Sequence, residues 1–136
     1  MAVDVRAMTP LLEVFDMPTS LAFYRDLLGF EVGGRSSPDD NCDWVWLKLN
    51  EINLMLNTAY EADERPPSPD PNRLGAHHDT ALFFRCPDVD AAYEYLKERG
   101  VNLKPPSNAP YGMRQLYFKD PDGFNLCFQW PVEQGN

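Results

Sequence analysis

The sequence predicts an α+β protein built from two tandem β-α-β-β-β modules. Three observations predict it: an internal repeat, a pair of alternating apolar strands after each repeat unit, and a polar, proline-rich stretch between the halves. The repeat unit is TPLLEVFDMPTSLAFYRDLLGFEV from Thr9 to Val32 and ALFFRCPDVDAAYEYLKERGVNL from Ala81 to Leu103. Each copy reads as an apolar strand, an aspartate, an amphipathic helix, a glycine and a short second strand.

Local chemistry accounts for each element in turn. Asp16 and Asp88 stand where strand gives way to helix, and a carboxylate there can accept the unpaired N–H groups of the first turn. Leu21, Tyr24 and Leu28 in the first helix, and Val89, Ala92 and Leu96 in the second, recur at i, i+3 and i+7, which gives each helix one buried stripe. Gly29 and Gly100 follow the helices, where a left-handed residue ends the last turn without a Cβ clash. Trp44 to Leu49 and Ile52 to Asn57, joined by Asn50-Glu51, form a hairpin with a two-residue loop. Arg114 to Lys119 and Phe124 to Trp130, joined by Asp-Pro-Asp-Gly at 120–123, form a second hairpin. The expected organisation is a single domain over 1–136. Within it, a first module spans 9–57, an exposed linker 58–78 and a second module 79–130.

Strand side chains alternate between faces, so the hairpin loops sort them. Val45, Leu47, Leu49, Ile52, Leu54 and Leu56 share one aliphatic face that belongs under a helix. Trp44, Trp46, Lys48, Asn53, Met55 and Asn57 share the other. By the same rule Glu13 and Phe15 lie opposite Leu12 and Val14, and Phe83 and Arg85 lie opposite Leu82 and Phe84. Gln115 and Tyr117, with Asn125, Cys127 and Gln129, lie opposite Leu116, Phe118, Leu126 and Phe128. Each sheet therefore has a mixed polar and aromatic face too bulky to be plain surface. That composition fits the lining of a cleft.

Composition narrows the function classes. The 43% hydrophobic and 24% charged content is that of a globular domain, and 136 residues suffice to bury roughly 68% of the unfolded surface. A formal charge of -9 disfavours phosphate-driven nucleic-acid binding and anionic membranes, and it would welcome a cationic small molecule. The acidic set Asp39, Asp40 and Asp43 could steer such a cation. No apolar run is long enough to span a membrane, and MAVDVRAMTP lacks the apolar stretch of an export signal. Cys42, Cys86 and Cys127 are odd in number and lack C-x-x-C spacing, so the expected compartment is the reducing cytoplasm.

The string SLAFYRDLLGF from Ser20 to Phe30, the duplicated module, and YGMRQLYFKDPDGF from Tyr111 to Phe124 together resemble the vicinal oxygen chelate superfamily of glyoxalases, bleomycin resistance proteins and dioxygenases. The resemblance runs from about Thr9 to Trp130 and implies curved mixed sheets around a cleft, and a homodimer. It says little about activity, since one fold hosts many chemistries. Metalloenzymes of this type carry one ligand on each of four cleft-facing strands, and the matching positions here are Thr9, Asn53, Ala81 and Cys127. Alanine has no donor, amide and hydroxyl are weak neutral donors, and one thiol lacks partners, so metal binding is not carried over. A rearranged site would draw on His77, His78, Asp79 and Glu13, but adjacent histidines on an extended segment diverge.

These features favour a binding protein that holds a small aromatic or cationic molecule in a metal-free cleft, as antibiotic- or metabolite-sequestering members do. The candidate ligand-binding residues are Glu13, Trp44, Trp46, Asn53, Met55, Phe83, Tyr117 and Cys127. No residue is assigned a catalytic or metal-binding role, and no cofactor is expected. The alternative is a metal-dependent lyase, isomerase or dioxygenase with a non-standard ligand set. In that case Glu13 could act as general base, or Cys127 as nucleophile if Lys48 or Arg85 lowered its pKa.

Overall fold

In the computed structural model, which describes residues 2–132, the chain forms two four-stranded mixed sheets. The elements of the first unit are β1 (Leu11–Val14), α1 (Met17–Leu21), a π-helix (Ala22–Leu27), β2 (Glu31–Arg35), β3 (Trp44–Leu49) and β4 (Ile52–Thr58). Those of the second are α2 (Pro71–Ala76), a 3₁₀ turn (His77–Asp79), β5 (Ala81–Arg85), α3 (Val89–Glu98), β6 (Ser107–Asn108), β7 (Met113–Lys119) and β8 (Asn125–Pro131). The sheet orders are β1-β4-β3-β2 and β5-β8-β7-β6, so the same topology occurs twice. The two compact units divide between Pro67 and Ser68, inside the stretch read from sequence as a linker.

The expected hairpin register is the one observed: Leu49 pairs with Ile52, Leu47 with Leu54 and Val45 with Leu56. Asn50 takes φ 52° in the loop, a conformation that Asn tolerates better than most residues. β1 then adds parallel to β4, with Leu11 opposite Met55 and Glu13 opposite Asn57. In the second sheet, Tyr117 pairs with Cys127 and Gln115 with Gln129, while β5 runs parallel to β8 with Phe83 opposite Cys127. Burial follows the alternation: Leu12, Val14, Val45, Leu47, Leu54 and Leu56 form the core of the first unit, and Leu116, Phe118 and Leu126 anchor the second.

The helices begin as predicted. The Asp16 carboxylate accepts from the Thr19 N–H, and Asp88 accepts from that of Ala91. Gly29 and Gly100 adopt φ 94° and 83°. The first helix departs from the 3.6-residue period, however. After one α-turn it widens into the π-helix, where the Leu28 N–H reaches back to the Phe23 carbonyl. Tyr24 stays fully buried between Phe23 and Phe30, but Leu28 is displaced from the stripe and is only half-buried.

Two further expectations change. The short strand read at Val101–Leu103 forms instead at Ser107–Asn108, because Pro105 and Pro106 have no N–H to donate and delay pairing until they are passed. The 58–78 stretch is not uniformly extended surface. Asp70 caps α2 by accepting from the Asn72 N–H, with Pro71 at the first helical position. α2 then docks on the 120–123 turn of its own unit. Arg73 pairs with the buried Asp122 at 2.8 Å, and the His77 ring stacks on Phe124 with centroids 3.8 Å apart. The Asp-Pro pair at 70–71 repeats the helix-start chemistry seen at Asp16 and was the available signal.

Candidate functional site

Register decides which predicted site residues share a face. In the first sheet Glu13, Asn57 and Trp44 form one row across β1, β4 and β3, and Leu11, Met55 and Trp46 form the next. Asn53 and Lys48 form the row after that. Glu13, Trp44, Trp46, Asn53 and Met55 thus lie on one face of one sheet. Trp46 donates its indole N–H to the Asn53 Oδ1 at 2.9 Å, and the Lys48 ammonium sits 5.3 Å from the Trp46 ring centre. Both tryptophans are half-buried, and the neighbouring β2 bulges between Val32 and Gly34 where its glycines pass close to their rings. A Cβ at Gly33 would lie 3.1 Å from the Trp46 ring and 3.1 Å from the Lys48 stem. The Gly33-Gly34 pair in the sequence was the signal for this close approach.

The second sheet carries the other three predicted residues. Phe83 and Tyr117 flank Cys127 on either side in register, and their rings meet edge to face with centroids 5.9 Å apart. Phe83 is 50% and Tyr117 49% exposed, whereas Cys127 beneath them is 0% exposed. Cys127 therefore forms the floor under the rings rather than a contact surface. Burial raises its thiol pKa, which keeps the thiol protonated at neutral pH, and burial likewise raises the Tyr117 phenol. Of the cations considered as activators, Lys48 sits over Trp46 in the first unit, and Arg85 lies 4.8 Å from the Trp130 ring centre. Beside the rings the buried Gln115 amide donates to the Tyr111 hydroxyl at 2.7 Å and to the Gln129 Oε1 at 2.9 Å.

Of the residues that line a hollow on this face, sequence reasoning named Tyr117 as a candidate and placed Gln115 and Asn125 on the same face, but it did not single out Lys104, Ser107 or Lys119. A groove of about 900 Å³ runs along the edge of β7, between that strand and the 101–105 segment that follows α3. Lys104, Ser107, Gln115, Tyr117, Lys119 and Asn125 are among the residues that line it. The signal was the prolines at 105 and 106, which hold that segment off the sheet.

The metal positions do not fit an ion. The shared register makes Met55, not Asn53, the first-sheet counterpart of Cys127, since Leu11 and Phe83 each precede their capping aspartate by five residues. Neither alternative repairs the set. The Asn53 oxygen already accepts from Trp46, a thioether is a weak soft donor, and Ala81 has no donor at all. His77 and His78 are not extended as expected but lie in the 3₁₀ turn. His77 donates to the Asp122 carbonyl at 2.6 Å, and His78 faces the Gly75 carbonyl and Asp79 at the surface. Among the described residues no cluster of three His, Cys, Asp or Glu side chains is placed to hold a metal.

The acidic steering set also changes character. Asp40 is gripped by Arg25 at 2.9 Å and Arg35 at 3.2 Å, which lowers its pKa to about 2 and offsets its charge. Asp39 accepts from the Asn41 N–H. Among the described residues no helix is long and apolar enough to cross a membrane.

Comparison with known proteins extends this picture. None of the curated proteins matches. Solved structures match over nearly the whole chain. A glyoxalase/bleomycin resistance protein/dioxygenase from Nocardioides is 22% identical with a TM-score of 0.74, over 99% of this chain and 89% of that one. TnmS3, an antibiotic binding protein from Streptomyces sp. CB03234, is 27% identical with a TM-score of 0.70, over 97% and 99%. A glyoxalase/bleomycin resistance protein from the same Streptomyces is 26% identical with a TM-score of 0.62, over 90% and 97%. The model of the Glyoxalase/Bleomycin resistance protein/Dioxygenase superfamily matches residues 8–128. With the doubled β-α-β-β-β topology, that match over most of the chain means that this protein belongs to the Glyoxalase/Bleomycin resistance protein/Dioxygenase superfamily.

Proposed function

We propose that this protein binds and sequesters a small ring-bearing molecule, an antibiotic or a metabolite, without a metal ion and as a homodimer. The observation that carries the proposal is the Phe83–Tyr117 pair, two half-exposed rings set edge to face above a buried thiol on an otherwise polar sheet face. The exposed half of each ring adds nothing to the core, whereas a flat ligand can stack on it. Trp44 and Trp46 offer a comparable surface on the first sheet. The similarity to an antibiotic binding protein supports the ligand class. The donor-poor metal positions favour binding over the Lewis-acid chemistry of a lyase or dioxygenase. A dimer is supported by the sheet orders, which leave β1, β2, β5 and β6 as edges that a second copy could cover.

A thermal-shift screen of planar aromatic compounds and divalent metals tests the proposal. A ligand at a hundredfold its Kd stabilises the native state by about 2.7 kcal/mol. Tyr117→Ala and Trp46→Ala should each be assayed with and without ligand. The expected result is an aromatic compound that raises the midpoint, with at least one variant losing that rise while keeping its ligand-free midpoint within a few degrees. Tight one-to-one uptake of Ni, Zn, Mn or Fe, with no response to any aromatic compound, would overturn it in favour of a metalloenzyme.

A further inference from the structure

The charges of the chain are unevenly placed. Residues 1–67 hold 12 acidic and 5 basic side chains, while residues 68–136 hold 9 and 7. In the second unit five of the seven cations are engaged. Arg73 pairs with Asp122 and Arg114 with Asp90, while Arg85, Lys97 and Arg99 lie over Trp130, Tyr93 and Tyr95. The remaining two are Lys104 and Lys119, whose side chains, among the described residues, form no hydrogen bond or ion pair. Both line the groove beside β7, and no carboxylate lines it with them. The carboxylates of the 88–90 and 120–122 segments are drawn off into helix capping, the turn and the two arginine pairs.

We infer that this groove takes an organic anion, a carboxylate or phenolate carried on a flat ring, with the charge at Lys104 and Lys119 and the ring on Tyr117. The inference rests on the proposed ligand-binding role and specifies the charge class of the ligand. It reverses the expectation drawn from the net charge of -9, because a bound molecule feels the local lining more than distant, screened surface charge. Asn102 adds an amide that can donate to anionic oxygens, and Asn125 has a second amide hydrogen beyond the one it donates to the His78 carbonyl. The ring finds an apolar partner in Tyr117, whose hydroxyl burial keeps in its neutral form.

Three matched probes test the charge class on the full chain: 2-naphthoate, 2-naphthamide and 2-naphthylmethylammonium, titrated by calorimetry at low and moderate salt. Naphthoate should bind tightest, and its advantage over the amide should shrink as salt rises. Each exposed lysine is worth about two- to fivefold in affinity, so Lys104→Gln and Lys119→Gln should each weaken naphthoate by that factor. The double variant should bring naphthoate close to the amide, with amide binding and ligand-free stability unchanged. Naphthoate no tighter than the amide, a tighter ammonium probe, or naphthoate affinity insensitive to both substitutions would each overturn the inference. If the amide or ammonium still binds and Tyr117→Ala weakens it, the binding role survives and only the charge class fails. If no probe binds, both fail.

Discussion

Replacing Gly123 with alanine isolates how the segment between the modules is held to the second one. Gly123 takes φ 85° at the end of the Asp-Pro-Asp-Gly turn, and a Cβ there would stand 2.6 Å from the Leu74 carbonyl oxygen of α2. That oxygen is backbone and cannot rotate away, so either α2 shifts or the turn opens. Gly100 provides the control in the same unit: its φ is 83°, but nothing lies within 4 Å of its Cβ position. An L-residue in the left-handed region costs about 1–2 kcal/mol wherever it stands, which is the whole effect expected for Gly100→Ala. Gly123→Ala adds overpacking of about 1–3 kcal/mol, for a total of about 2–5 kcal/mol. Urea unfolding of both variants, followed by fluorescence and far-UV circular dichroism, measures the difference directly. Equal losses for the two glycines would refute the docking of α2 on the turn.

Two further outcomes are expected. Asp40, held near a pKa of about 2 by Arg25 and Arg35, has a folded-state value below the ordinary value near 4, so its ion pairs stabilise the native state above pH 4 and are lost as pH falls toward 2. Wild type should therefore exceed Asp40→Asn in urea midpoint at pH 5, and the two should converge by pH 2; a constant gap across that range would show that the carboxylate charge is not what Arg25 and Arg35 recognise. Of the cysteines, Cys42 and Cys127 are buried and Cys86 is partly exposed with its pKa raised by burial. A disulfide exchange reagent at neutral pH should modify Cys86 slowly and the other two only on unfolding, and rapid native-state labelling of Cys127 would contradict its position beneath Phe83 and Tyr117.

Much of the fold was legible because it rests on local rules. Period-two alternation and a two-residue loop fix both the register and the sidedness of a hairpin, so the pairing of Val45 with Leu56 and the aliphatic face could be written down from sequence. Asp16, Asp88, Gly29 and Gly100 announced the helix ends through capping chemistry that needs only neighbouring residues. The π-helix, with its i−5 bond from Leu28 to Phe23, was not legible, since the i, i+3, i+7 spacing of apolar residues reads as an ordinary α-helix. The delayed strand at Ser107 required giving the two prolines more weight than the repeat.

Sequence by itself determined the doubled topology and the faces of β1, β3, β4, β5, β7 and β8, because each follows from side-chain identity at a spacing set by the backbone. Tertiary structure alone decided which of those face residues a ligand could reach. It buried Cys127 under two rings, joined Asn53 to Trp46, neutralised Asp40 with two arginines, and set Lys104 and Lys119 on a common groove. Those outcomes depend on residues brought together from separate strands and loops, and no spacing along the chain encodes the competition among them for space and for charge.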